Sequence, residues 1–239
     1  MQLKNLLAVL PHPKISGPAN IEITGVTDDS RKVKPGNLFV AIKGLTVDSH
    51  KFIPDIIKNG AVAVVGETDL HPKGVTYTKV KNSREALGFL ASAWFGNPSQ
   101  KPTVIGVTGT DGKTTTTTLI HHILRVADKK SAVISTLGAE IEGKLYETGF
   151  HVTNPDAIPL QSFLAKIVKK RARYVVLETT SHGLAQDRTA GVKFDVGVLT
   201  NITHEHLDFH KTFDAYRESK AKLFKNVKIA VLNNDDASF

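Results

Sequence analysis

The sequence predicts an α/β protein in two parts: a small N-terminal α/β domain, then a partial doubly wound domain on a mainly parallel sheet. Three observations carry that expectation. Short apolar runs alternate with helical patterns along the chain. In the second half those runs are continuous rather than alternating, as parallel strands covered on both faces require. Gly96, Pro98 and Pro102 cluster in "FGNPSQKP" between structured stretches, which puts a boundary between 1–98 and 99–239.

In the first part, "IEITGVT", "NLFVAI" and "AVAVVG" read as short strands. "FIPDIIKNG" reads as a helix stopped by Gly60, and "SREALGFLASAWF" as a second helix. In the second part, "TVIGV" is a buried strand followed by a glycine turn and a helix with Leu119, Ile120, Ile123, Leu124 and Ala127 on one face. "SAVIS" is the next strand. "LQSFLAKIVKK" is a helix facing inward through Leu160, Phe163, Leu164, Ile167 and Val168, and "YVVLE", "DVGVLTN" and "KIAVLN" are further buried strands. The sequence stops at "LNNDDASF", directly after a strand, so the second domain is expected to be incomplete.

Composition narrows the chemistry. With 239 residues, 41% hydrophobic and 23% charged, the chain has the make-up of an ordinary globular protein, and no apolar run approaches the roughly 20 residues that cross a bilayer. There is no cysteine, which excludes disulfides, thiol catalysis and thiolate metal sites; a cytoplasmic location and no membrane insertion are expected. The formal charge of +8 favours anionic ligands. No arginine-rich arm or aromatic-interleaved basic stretch is present, so phosphorylated small molecules are expected and nucleic acid is not.

"GTDGKTTTTT" stands between a strand and a helix. A glycine turn there lets backbone N–H groups wrap phosphate oxygens at a helix N-terminus, with Lys113 reaching the terminal phosphates and Thr114 offering a hydroxyl to Mg²⁺. The strict P-loop pattern wants glycine where Val107 stands, so this is a variant loop that binds a nucleotide. Threonine is a poor choice for opening a helix. Thr114 and Thr115 are explained by chemistry in the first turn, and Thr116 to Thr118 are expected to pack on the sheet.

In "TFDAYRESKAKLF", helical spacing aligns Phe213, Tyr216, Lys220 and Leu223, whereas Lys222 falls on the opposite side, where a surface lysine belongs. Lys220 is therefore either snorkelling along apolar surface or partly desolvated, with a depressed pKa and a reactive amine. "LTNITHEHLDFH" gathers His204, Glu205, His206, Asp208 and His210; its spacing suggests zinc, but loop histidines beside a nucleotide loop are expected to be hydrogen bonders. Glu178 ends a strand beside the phosphate site, where a metal-ligand role is plausible. His121 and His122, inside a helix, are expected to be structural or exposed.

Together these stretches resemble the Mur ligases, and within them the branch that adds the third amino acid to UDP-N-acetylmuramoyl-dipeptide. "TDDSRKVKPGNLFVAIKG" and "DSHKFIPDIIKNGAVAVV" carry the likeness in the first domain; "GVTGTDGKTTT", "HVTNPDA", "ETTSHGLAQDR", "TNITHEHLDFH" and "YRESKAKLF" carry it in the second. "TSHGLAQDR" separates this branch from its sisters.

The resemblance implies an ATP-dependent ligase that forms an amide bond through an acyl phosphate in peptidoglycan synthesis, with ATP and Mg²⁺ as cofactors. Its partners would be UDP-N-acetylmuramoyl-dipeptide and an amino acid, acting on a monomer. Ser30, Leu45 and Thr46 would meet the uridine diphosphate in a UDP-sugar-binding first domain. Gly109, Thr110, Asp111, Gly112, Lys113, Thr114 and Thr115 would hold ATP. Thr153, Asn154, Thr180, Gln186 and Arg188 would contact the muramoyl-dipeptide. Thr114, Glu178 and His206 would bind Mg²⁺ together with Lys220 as its carbamate, and Lys113, Lys220 and His206 would be catalytic. Against the family's pattern, Asp111 replaces an asparagine, Ser49 a glycine, Asn154 a threonine, Thr180 a serine and Glu205 an aspartate. The family's amino-acid-binding third domain is not expected in this stretch. Rival readings are a UDP-sugar-binding module with a vestigial ATPase half, or a Mur-like ligase for another substrate such as folate.

Overall fold

The computed structural model describes residues 1–44, 47–148 and 154–236. Contacts divide the chain into two compact units, Met1–Asn97 and Pro98–Phe239.

The first unit carries a five-stranded sheet. Its strands are β1 (Lys14–Ser16), β2 (Gly25–Thr27), β3 (Asn37–Val40), β4 (Ala63–Gly66) and β5 (Thr76–Lys79), in the order β1-β5-β4-β3-β2. β2 to β5 pair in parallel and β1 joins β5 antiparallel. The helices are α1 (Leu3–Leu7), α2 (Ile53–Lys58) and α3 (Ser83–Trp94). Asn82 starts α3 by accepting from the backbone N–H groups of Arg84 and Glu85, two donors that lack helical partners. Phe39, Val64 and Tyr77 pack with Ile53 and Ile56 into one core. β1 and β5 escaped the sequence reading, and "IEITGVT" is strand only over its last three residues.

The second unit contains β6 (Thr103–Thr108), β7 (Ser131–Ser135), β8 (Gly138–Ile141), β9 (Lys144–Tyr146), β10 (Tyr174–Glu178), β11 (Val196–Leu199) and β12 (Ile229–Val231). Its helices are α4 (Lys113–Val126), α5 (Ala157–Lys169), α6 (Ser181–Ala185), α7 (Leu207–His210) and α8 (Phe213–Ala221). The sheet order is β12-β11-β6-β10-β7-β8-β9; the first five run parallel, and β8 and β9 add an antiparallel hairpin. Alternate residues of one strand feed opposite layers. Ala132, Ile134, Val175 and Leu177 meet Leu160, Leu164 and Ile167 of α5, whereas Val133, Val176 and Val107 meet Ile120 and Leu124 of α4. Each fully buried Leu or Ile of α5 contributes about 2 kcal/mol.

Three expectations need correction. Leu119 and Ile123 of α4 do not face the sheet: they are 55% and 56% exposed, and Thr117 and His121 are the residues buried there. The apolar run of β12 is an edge strand of the described sheet with exposed side chains, not a strand covered on both faces. Lys222 is not free in solvent, because its ammonium donates to the Leu184 carbonyl and pairs with Asp187 at 2.9 Å.

Candidate active site

The central strand β6 delivers the glycine turn to the carboxyl edge of the parallel sheet, between the ends of β10 and β11, where ligands of open α/β sheets bind. Two glycines shape the turn. Gly112 is left-handed at φ 76° with open space beside it, and a Cβ on Gly109, φ 156°, would overlap the Thr200 hydroxyl. The segment after β11 clamps the turn from outside. Thr110 N–H donates to the Asn201 carbonyl at 2.9 Å, Asp111 N–H to Asn201 Oδ1 at 2.9 Å, and the Thr200 hydroxyl to the Asp111 carbonyl at 2.6 Å. Gly112 and the first turn of α4 face outward beyond this clamp, and their N–H groups are the ones a phosphate would meet.

Two ammonium groups lie against this loop. Lys113 Nζ donates to the Thr110 carbonyl at 2.6 Å, and Lys220 Nζ donates to the Gly109 carbonyl at 2.5 Å. Lys220 is 2% exposed and its Nζ sits 4.4 Å from the Tyr216 ring centre. Burial, reinforced by the Lys113 charge and only partly opposed by Glu205 and Asp111, brings the Lys220 pKa down to about 7. Of the two sequence readings of this lysine, snorkelling is thereby set aside. Tyr216 is fully buried, and its hydroxyl lies 2.9 Å from Thr110 Oγ1, tying α8 to the loop.

Glu178, 1% exposed at the end of β10, accepts from Thr114 Oγ1 at 3.0 Å and from the Thr136 N–H and hydroxyl at 3.1 and 3.2 Å. No cationic side chain pairs with this buried carboxylate among the described residues. Thr114 thus has its chemical reason. Thr117 is fully buried and returns its hydroxyl to the Lys113 carbonyl at 2.7 Å, Thr116 is half-buried, and Thr115 and Thr118 are exposed.

Asn154 acts as a brace. Its Nδ2 donates to the Glu178 carbonyl at 2.7 Å, and its Oδ1 accepts from the Thr180 N–H and hydroxyl at 2.7 and 2.9 Å. Its own carbonyl accepts from Arg188 at 2.9 Å, while Gln186 Oε1 holds the other side of that guanidinium. Thr180 in turn caps the short helix α6 through the Gly183 N–H. His206, left-handed at φ 56°, meets the His182 ring at 4.8 Å; burial first, then neighbouring imidazole charge, lowers the pKa of His182 and His210.

A cavity of about 340 Å³ gathers many of the anticipated side chains: Lys113, Asn154, Thr180, Gln186, Arg188, His206 and Lys220 all line it. Tyr216 and His182 line it too, and no site role had been read for them. Tyr216 was nonetheless visible, four residues before Lys220 on the same helical stripe. Thr114 and Glu178 join each other rather than lining this cavity. Ser30 lies in the first unit, opening a short turn that Asp29 caps. Leu45, Thr46 and Thr153 lie outside the described residues. Among the described residues, no three His, Asp or Glu side chains converge to hold a metal by themselves.

Comparison with known proteins gives concordant results. Residues 107–239 match the Mur ligase middle domain, and residues 22–95 match the Mur ligase family catalytic domain. The chain is 43% identical to the UDP-N-acetylmuramoyl-L-alanyl-D-glutamate–2,6-diaminopimelate ligase of Syntrophomonas wolfei, over 99% of this chain and 49% of that protein. It is 44% identical to the UDP-N-acetylmuramyl-tripeptide synthetase of Deinococcus radiodurans, over 99% and 49%. Among solved structures, a UDP-N-acetylmuramoyl-L-alanyl-D-glutamate–2,6-diaminopimelate ligase superposes with a TM-score of 0.83 at 31% identity, covering 99% of this chain and 48% of that one. The MurF ligase of Thermotoga maritima in complex with ADP gives 0.57 at 28%, over 88% and 45%. The chain spans about half the length of these relatives.

Proposed function

This chain belongs to the Mur ligase family, and we propose that it supplies the UDP-sugar-binding and ATP-binding parts of a ligase that joins an amino acid to UDP-N-acetylmuramoyl-L-alanyl-D-glutamate. Two of the relatives named above are 2,6-diaminopimelate ligases, which favours 2,6-diaminopimelate as that amino acid. The observation that carries the reading is the pair of lysines: two ammonium heads rest on consecutive carbonyls of the glycine turn, where a triphosphate would lie.

In the reaction so proposed, the substrate carboxylate attacks the ATP γ-phosphorus, and ADP leaves. The acyl phosphate is then attacked at its carbonyl carbon by the amine of the incoming amino acid; the tetrahedral intermediate expels phosphate and the amine loses its proton. Lys113 exchanges the Thr110 carbonyl for the γ-phosphate and offsets charge on the group in transfer. Arg188, fixed by Gln186 and the Asn154 carbonyl, presents a cation to the peptide carboxylates. Ser30 serves the uridine diphosphate in the first unit.

The donor set suits Mg²⁺. Glu178 is a buried carboxylate without a cationic partner among the described residues and Thr114 places a hydroxyl oxygen beside it, while His206 stands apart from them on the cavity. Since no protein-only cluster of three exists among the described residues, phosphate oxygens and water would complete the ligand sphere. Bound there, the ion would supply charge neutralisation on the phosphates. At a pKa of about 7, Lys220 presents neutral amine near pH 7. Adding carbon dioxide to that neutral amine would form an N–C bond, release one proton and leave a carboxylate oxygen as ligand in place of the nitrogen.

Titration calorimetry tests the assignment. The protein is expected to bind both Mg·ATP and UDP-N-acetylmuramoyl-L-alanyl-D-glutamate. Lys113→Ala is expected to weaken the nucleotide by at least about tenfold and leave the UDP-sugar unchanged, about 1.4 kcal/mol being the least a charge-assisted phosphate contact contributes. A wild-type protein that binds neither ligand ends the proposal.

A further inference from the structure

The opposite, amino-terminal edge of the second sheet carries a pattern the ligase reading does not use. Each of its five parallel strands is preceded, within three residues, by an exposed cation. Lys101 precedes β6, Lys129 and Lys130 precede β7, and Arg171 and Arg173 precede β10. Lys193 precedes β11 and Lys228 precedes β12. The same short stretches hold only two carboxylates, Asp128 and Asp195, and Asp195 is buried and paired with Lys228 at 2.9 Å. Parallel strands bring all these positions to one side. Five strands at the usual spacing make that side about 20 Å wide.

Helix C-termini favour cations, which accounts for Lys129 and Lys130 after α4 and for Arg171 after α5. That preference does not reach Lys101, Arg173 or Lys193, which end loops. Between the starts of β6 and β10 the edge opens into a cleft of about 440 Å³, lined by Lys101, Arg171 and Arg173 over a floor of Val168, Ala172 and Tyr174, with no carboxylate. One large apolar side chain stands at the same edge: Val126, 71% exposed at the end of α4.

We propose that this edge docks the protein on an anionic lipid surface, the cations meeting headgroup phosphates while Val126 enters the headgroup layer. Cations spread over the whole width suit a plane of phosphates better than one small ligand. The edge lacks the run of stacking aromatics by which single strands of nucleic acid are held. No described helix is long and apolar enough to cross a membrane, so the contact is peripheral. This inference does not rest on the ligase assignment.

Vesicle sedimentation of the intact chain tests it. Binding is expected to vesicles of phosphatidylcholine with about 30 mol% phosphatidylglycerol at about 0.1 M salt, to be absent from pure phosphatidylcholine, and to fade at about 0.5 M salt. The triple variant K101E/R171E/R173E is expected to lower the partition coefficient at least roughly 100-fold. K4E/K73E/K81E changes the net charge equally with lysines of the first unit and is expected to retain most of the binding. Circular dichroism of both variants checks that they fold. Failure of the wild type to bind anionic vesicles overturns the proposal, as does equal loss in the two triple variants. So does tight binding of a fluorescent oligonucleotide, lost in K101E/R171E/R173E, by a protein that ignores vesicles.

Discussion

Replacing Lys220 with methionine isolates the energetic consequence of burying an amine beneath the nucleotide loop. Methionine keeps the length and apolar stem and removes the charge. In the folded protein the Lys220 pKa is about 7, against an ordinary value of 10.5. Between those two values the unfolded chain holds a proton that the folded chain has released, so the wild type gains stability as pH rises, and the burial penalty is complete only below about pH 7. Integrating between the two pKa values gives a penalty of about 5 kcal/mol at pH 6 and about 2 kcal/mol at pH 9. The variant escapes that penalty but leaves the Gly109 carbonyl without its donor, a loss of about 1–2 kcal/mol that does not vary with pH. Lys220→Met is therefore expected to be the more stable protein at pH 6 and close to the wild type at pH 9. The difference between them should close by about 3 kcal/mol over that range. Urea unfolding followed by far-ultraviolet circular dichroism, in buffers freed of carbon dioxide so that the amine stays unmodified, reads the difference directly. Parallel stability curves for the two proteins would refute the reasoning, because they would mean that Lys220 ionises in the folded chain as it does in water.

Gly109→Ala drives a Cβ into the Thr200 hydroxyl and so breaks the clamp on the glycine turn; calorimetry should show the proposed nucleotide affinity lower by at least about tenfold, with the UDP-sugar binding proposed for the first unit intact. His121 is buried with Nε2 3.5 Å from a Glu140 carboxylate oxygen, and burial outweighs the Glu140 charge to lower its pKa. Acid then protonates the unfolded chain first, so wild-type stability should fall as pH drops below about 6.5, and His121→Leu should flatten that fall in a urea titration. For Asp195, burial pushes the pKa up, but Lys228 and the Val104 N–H outweigh it and the net shift is downward. Its stabilisation is present above the ordinary carboxylate range and is lost as pH falls through the folded value. Asp195→Leu, which also strands the Val104 N–H, should lower stability by about 2 kcal/mol at pH 7, read by chemical denaturation.

The features legible in the sequence are those in which a local pattern and the tertiary environment agree. "YVVLE" and "SAVIS" are apolar at every interior position because both faces of the sheet are covered, and alternate residues enter separate clusters. Lys220 was conspicuous because helical spacing put it between Tyr216 and Leu223, and all three are buried. The hairpin of β8 and β9 left little trace. At the end of the described sheet β9 has only one covered neighbour, and "KLY" is mostly exposed, so no apolar run marks it. Similarly, the brace at Asn154 depends on bonds to residues 24 to 34 positions away, which no local spacing reveals.

Helix α4 shows why pattern and structure part. Its hydrophobic periodicity points to a face containing Leu119, Ile120, Ile123 and Leu124, yet only Ile120 and Leu124 pack on the sheet, while Leu119 and Ile123 are exposed. The rotation of the helix is set at its first turn, where Thr114 must reach Glu178 and Lys113 must turn back to the loop. Residues three, seven and ten positions after Thr114 then fall on the sheet side, and these are Thr117, His121 and Leu124. Leu119, Ile123 and Val126 are carried round to the outside. The contacts at the helix N-terminus thus go with a phase that the apolar pattern would not choose. It also explains why a threonine and a histidine occupy positions that an ordinary amphipathic helix gives to leucine. A sequence reading that treats the phosphate loop as an addition to an independently packed helix inverts the order of constraint: the loop orients the helix, and the packing accommodates it.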